Sequence, residues 1–218
     1  MKAKYPNESN EYRNARNLLL QAEVELREQT EAVAALRRSL PLGGEIPEDY
    51  VFQNLENKSI RLSELFAVHD TLLIYSYMLG PEMKEPCSMC TSILDGLESS
   101  LPSIKEKCGI AAVISGSVEQ ANDIYQQKGW NNLLLLSAQH NTYNKDYLGE
   151  IEDGSQIPMM NVFTRKNGKT YHFWGSELVF EPAKGDPRHM DLLWPLWNAL
   201  DLTPSGRGNQ YPNVDGSF

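Results

Sequence analysis

The chain has 218 residues and a formal net charge of -9, a length that suits one large domain, or one domain with an appendage, and is tight for two. The negative balance disfavours nucleic acid and anionic membrane as partners, because each phosphate contact would form against a repulsive background field. The opening Met1-Lys2-Ala3-Lys4-Tyr5-Pro6 has no apolar stretch behind its lysines, and no later run approaches a bilayer span. Neither a secretory leader nor a membrane anchor is expected, and the cytoplasm is the expected compartment.

From Glu11 to Leu40 the residues Ala15, Leu19, Ala22, Leu26, Val33, Leu36 and Leu40 recur at steps of three, four or seven, which predicts one long helix. Ser9 or Asn10 can cap its start, and Pro41 followed by Gly43-Gly44 ends it in a hinge. Whether this helix packs on its own domain or on a second copy of the chain, as in a homodimer, is left open by the pattern. Residues 1–44 therefore form an N-terminal helix and hinge, and the main domain is expected over residues 45–202.

Tyr50-Val51-Phe52 and Ser59-Ile60-Arg61-Leu62 flank a polar insert and predict a short hairpin. The run Thr71 to Leu79 is nearly continuous apolar and ends at Gly80-Pro81, as expected of a central strand covered on both faces. Ile93, Leu94, Leu97, Leu101 and Ile104 then keep helical spacing through Lys107, with Pro102 placed to kink or break the helix. Gly109 to Ser115 predicts a second buried strand, and Leu133 to Leu136 a third. Between them lies a helix capped by Ser117, with Gln120 completing a capping box and Gly129 at its end. Strands alternating with helices in this way favour a parallel sheet.

The pattern changes after Gln139. A polar stretch closes at Ile157-Pro158, and Met159 to Arg165 and Lys169 to Trp174 form two strands around Asn167-Gly168, a strong hairpin signal. Asp186-Pro187 reads as a helix cap with proline in the first turn, and Pro195 should bend the helix that runs to Leu202. Residues 203–218 are rich in Gly, Asn, Pro and Ser and read as a polar tail, on the surface or disordered.

The candidate chemistry sits at Cys87-Ser88-Met89-Cys90, between the first buried strand and the following helix. Two thiols at this spacing close a small disulfide ring when the first lies in the opening turn of a helix, and C-x-x-C at such a step reads as a thioredoxin-like redox motif. Cys87 is the expected nucleophile, because a helix N-terminus favours thiolate, and Cys90 the thiol that resolves the mixed disulfide. Glu82, Glu85 and Asp95 oppose that activation and Lys84 offsets part of it, so a milder thiol than that of a strong oxidant is expected. The competing readings are two structural cysteines, or half a zinc site. Free cysteine often behaves as a small hydrophobe. Zinc is disfavoured because no second C-x-x-C or close His pair completes four ligands, so no metal and no cofactor are expected. Cys108 reads as structural. His172, Trp174, His189, Trp194 and Trp197 either line a pocket or form core, and Tyr143, Asn144, Asp146 and Glu150 either line a substrate groove or form a solvated loop.

A strand feeding a C-x-x-C helix, two further alternations, then an X-Pro bond, a hairpin and a helix resembles the thioredoxin fold from about Val51 to Leu202. At finer grain, Gly80-Pro81, Pro86-Cys87-Ser88-Met89-Cys90-Thr91-Ser92, Tyr171-His172-Phe173-Trp174 and the run from Asp186 to Asn198 are similar to a bacterial family, domain of unknown function 899, labelled as predicted dithiol-disulfide oxidoreductases. The label rests on analogy of fold. The resemblance implies an α/β, thioredoxin-like three-layer fold with a mixed central sheet, an added N-terminal helix and a C-terminal tail. It implies a thiol or disulfide substrate, protein or small molecule, and a substrate-binding cis-proline at Pro158. Pro86 before the dithiol and Ser88-Met89 within it depart from thioredoxin's own motif, so no redox potential carries over. Gly80 and Lys84 stand where peroxiredoxins place proline and threonine, which argues against a peroxidase of that type. The alternative function is a thioredoxin-fold binding or scaffold protein whose thiols do not cycle.

Overall fold

A computed structural model describes residues 4–183, 188–208 and 210–217. The chain divides into two compact units, Met1–Pro41 and Leu42–Phe218. The first is a helix, α1 (Asn10–Arg38), whose Ser9 side chain accepts the Tyr12 N–H and whose residues are all at least partly exposed. The expected hinge glycines do something further in the second unit. Gly43 N–H donates to His172 O (3.0 Å) and Ile46 N–H to Thr170 O (3.0 Å), so this segment adds a short extended edge to the sheet.

The second unit is built on a seven-stranded sheet in the order β2-β1-β5-β4-β3-β6-β7. The hairpin β1 (Val51–Gln53) and β2 (Ser59–Arg61) is antiparallel and leads into α2 (Leu62–Leu65). The central strands β3 (Thr71–Ser76), β4 (Gly109–Ile114) and β5 (Leu135–Ser137) run parallel, while β6 (Met159–Lys166) and β7 (Lys169–Gly175) are antiparallel additions beside β3. Asn167 (φ 53°) and Gly168 (φ 77°) both adopt the positive φ that a tight two-residue hairpin turn demands. Strand β5 starts two residues later than the apolar run suggested, because hydrophobicity marks burial and not ladder pairing.

Period-two alternation along the central strands divides the core. Tyr75, Ile110, Ala112, Ile114 and Leu135 face one side, against α3 (Ser88–Glu98), α4 (Leu101–Lys105), α5 (Val118–Lys128) and α7 (Pro195–Leu200). Leu72, Ile74, Ala111, Val113 and Leu136 face the other, with Tyr50, Phe52, Phe66, Phe163 and Tyr143 of α6 (Tyr143–Asp146). Helices on both faces of this mixed sheet, with α3 leaving the C-terminal end of β3, make a thioredoxin-like three-layer fold.

Proline placement separates the elements. The helix expected through Lys107 is interrupted at Ser99-Ser100, and Pro102 sits in the first turn of α4, where its missing N–H costs nothing. Pro195 likewise begins α7 instead of bending a longer helix. The expected cap at Asp186-Pro187 lies outside the described residues. The tail lies on the surface: Lys128 Nζ donates to Val214 O (2.9 Å), and Tyr211 packs edge-on against Trp197 at 5.9 Å between ring centroids.

Candidate functional site

The dithiol is positioned by the way the chain leaves β3. After Ser76 the backbone continues beside β4 through Tyr77 N–H to Val113 O (2.9 Å), and Leu79 O accepts from Gly116 N–H (2.8 Å). It then loops over Gly80 to Pro86 and returns, with Cys87 N–H donating to Met78 O (3.0 Å). Gln120 holds this loop. Its Oε1 accepts the Ser117 N–H (2.9 Å) in the expected capping box, while its Nε2 donates to Gly80 O (3.3 Å) and Met83 O (3.0 Å). One amide thus starts α5 and ties down the segment that delivers the thiols.

Cys87 is the N-cap of α3, with extended backbone (φ -61°, ψ 121°), and its carbonyl takes the first intrahelical bond from Thr91 N–H (3.0 Å). The same carbonyl accepts from Thr91 Oγ1 (2.9 Å), which leaves the Tyr77 hydroxyl to donate to Thr91 Oγ1 (2.7 Å). Three groups therefore fix the turn in which Cys87 sits. Cys87 is half-buried, and Cys90, one turn in, is 1% exposed; both are free thiols.

The two sulfurs differ electrostatically. Donation from the Cys90 thiol is the main influence on Cys87 and, against the opposing effect of burial, lowers its pKa to about 6. The N–H groups of Cys90 and Met89 at the helix mouth add to this, acting as a positive field near the sulfur more than as a formed cap bond. Burial first, and donation to Cys87 second, push Cys90 well above the ordinary thiol range. Asp95, expected to oppose activation, is occupied: Lys128 Nζ lies 2.7 Å from Oδ2, and Trp130 Nε1 donates to Oδ1 at 2.8 Å. A groove of about 530 Å³ adjoins the dithiol, bounded by Lys84, Glu85, Pro86 and Ser88 on one side and by Asp123 and Val214 on the other.

Other candidate residues separate. Pro158 directly precedes β6, whose Met159 pairs with Ser76, so it lies at the sheet end from which α3 departs. The expectation of a cis bond there is corrected: no described peptide bond is cis. The reversal is already made by Ile157 N–H donating to Gly149 O (2.9 Å) and by the Glu150–Gln156 bridge, so the chain enters β6 extended through an ordinary trans-proline. Cys108 precedes β4 at the opposite sheet end, beside Leu65, His69 and Gly109, where burial raises its pKa. Trp194 and Trp197 are core: Trp194 Nε1 donates to Ser92 Oγ of α3 at 3.0 Å, and the two indoles lie 4.9 Å apart. His172 instead stacks on Tyr147 at 5.5 Å, hydrogen-bonds to Asn161 Oδ1 (3.0 Å), and borders a separate cavity of about 270 Å³. Tyr143 and Asn144 are both buried, with Asn144 bridging Ser76 Oγ (2.9 Å) and Ser115 Oγ (2.8 Å).

Sequence reasoning missed Tyr75, Tyr77, Thr91 and the second role of Gln120. The apolar run hid the tyrosines as strand residues, although Tyr75 at the last but one position of the buried strand and Tyr77 just past it, each with a hydroxyl needing a partner, were a usable signal. Among the described residues no three His, Cys, Asp or Glu side chains group as a metal site, and no helix is long and apolar enough to cross a membrane.

A model of the family described as bacterial protein of unknown function (DUF899) matches residues 1–216. No curated protein matches the sequence. Among solved structures, the chain is similar to the reduced 2-Cys peroxiredoxin of Plasmodium vivax at 17% identity and a TM-score of 0.47, over 74% of this chain and 96% of that one. It is similar to the exposed lipoprotein thioredoxin of Streptococcus pneumoniae at 14% identity and a TM-score of 0.44, over 68% and 99%. The peroxiredoxin-like protein of Aquifex aeolicus gives 14% and 0.44 over 62% and 75%.

Proposed function

This chain belongs to the bacterial DUF899 family, and on that footing we propose that it is a thiol–disulfide oxidoreductase working through Cys87 and Cys90, on thiol or disulfide substrates in the cytoplasm. The observation that carries the reading is the asymmetry of the pair: a half-exposed Cys87 held as thiolate at a helix mouth, over a sealed Cys90 that donates to it. Two structural cysteines would have no need of that arrangement.

The exchange runs in two steps. The Cys87 thiolate attacks one sulfur of a substrate disulfide, and the S–S electron pair leaves on the other sulfur, which takes a proton. Cys90 then loses its proton and attacks Cys87, closing the intramolecular disulfide and releasing the second substrate thiol; the substrate is reduced by two electrons and the protein oxidised by two. Pro158, at the same sheet end, is assigned the backbone edge that an extended substrate would meet. Equilibration in glutathione buffers followed by mass spectrometry tests the reading. A reversible loss of two hydrogens confined to Cys87 and Cys90 is expected, with a mixed disulfide at Cys87 trapped in Cys90→Ser. Thiols that stay inert would leave a non-cycling binding protein.

A further inference from the structure

Among the described residues, four buried side-chain polar atoms lack a hydrogen-bond partner, and one of them, the Tyr75 hydroxyl, lies beside the dithiol. Tyr75 projects from β3 into the same core face as Cys90 and is 1% exposed. Its neighbour Tyr77 is satisfied through Thr91, so the two tyrosines do different work. What the Tyr75 hydroxyl meets is the Cys90 sulfur, near enough to interact but without a completed hydrogen bond. An unpaired buried hydroxyl is costly, and its placement against one sulfur asks for a purpose.

The purpose emerges in the second exchange. In the resting dithiol, the Cys90 thiol lies against Cys87 and favours its thiolate form. Once Cys87 is bonded to substrate sulfur its charge is gone, and Cys90 must become a thiolate while almost wholly buried. We propose that Tyr75 is a catalytic residue for this step, its hydroxyl donating a hydrogen bond to the Cys90 sulfur as that sulfur loses its proton. Burial holds the phenol protonated far above neutral pH, so Tyr75 acts as donor and not as the base. The proton passes out to the departing substrate thiolate, the bond between Cys87 and substrate breaks, and the Cys87–Cys90 bond forms; Tyr75 is unchanged at the end.

This inference rests on the oxidoreductase reading, and one experiment separates the two. In a Cys108→Ser background, reaction with 5,5′-dithiobis(2-nitrobenzoate) releases one thionitrobenzoate when Cys87 is modified and a second when Cys90 resolves the adduct. In Tyr75→Phe the first release is expected at the parent rate and the second about tenfold slower or more, its pH profile displaced to higher pH, as fits loss of one hydrogen bond to a charged group. Tyr75→2,3-difluorotyrosine, which keeps the shape and sharpens the donor, should displace that profile to lower pH and serves should the phenylalanine variant not fold. Equal second-phase rates and profiles in all three proteins overturn the proposal, as does a change in the first phase alone. Absence of a second release from the parent protein overturns the oxidoreductase reading instead.

Discussion

Cys90 has two tasks at the scale of single residues, since it is both the proposed ring partner and the chief reason that Cys87 ionises easily. Removing the donor should therefore raise the Cys87 pKa: in Cys90→Ala the midpoint of iodoacetamide alkylation against pH is expected to climb from about 6 toward the free-cysteine value of roughly 8.5, and less far in Cys90→Ser, which keeps a hydroxyl donor. At pH 7 the Cys90→Ala protein should react several-fold more slowly, because less of it is thiolate. The C-x-x-C spacing made the placing of the two thiols at the mouth of α3 legible in advance. The groups around them were not, since Tyr75 nears Cys90, and Tyr77 and Thr91 hold the Cys87 carbonyl, only through folding across the sheet face, an approach that linear spacing does not encode. Likewise the pairing of Asp95 with Lys128 and Trp130, distant in sequence, could not be read from spacing.

Among the elements, Gln120 joins a helix start to a functional loop. Gln120→Ala is expected to destabilise the fold by about 1–2 kcal/mol, a capping contribution plus two side-chain bonds to backbone. Gln120→Glu distinguishes the roles. It keeps the acceptor for Ser117 N–H but turns an oxygen toward Gly80 O and Met83 O, so hydrogen exchange should accelerate at the amides of residues 80–87 while the start of α5 stays protected. Helix starts and the β6–β7 turn were readable because capping and positive-φ chemistry are local. Less so were α6 and the edge formed by Gly43 to Ile46, which exist through tertiary partners: Tyr50 OH donating to Asp146 Oδ2 (2.7 Å), and the open side of β7.

For the second unit taken entire, the segment beyond α7 is part of the structure. The Arg207 guanidinium forks onto Asp191 (2.7 and 3.0 Å) and Asp201 (2.8 and 2.9 Å) and lies over Trp197 at 5.5 Å from the ring centroid. Arg207 first, and Arg188 donating to Oδ2 at 2.8 Å second, hold the Asp201 carboxyl well below the usual range. Arg207→Ala should cost about 2 kcal/mol, seen as a fall of roughly 4–8 °C in Tm by differential scanning calorimetry. Composition alone marked this stretch as a polar tail, because Gly, Asn and Pro describe a chain without regular structure and say nothing of whether it is anchored.

The depth of Cys90 has a practical corollary for handling the protein. While the fold is intact, a bulky electrophile can reach this pair only at its outer member, so chemical injury there disarms both at once and shelters the inner sulfur from harm. Restoring the outer sulfur alone should then return both thiols.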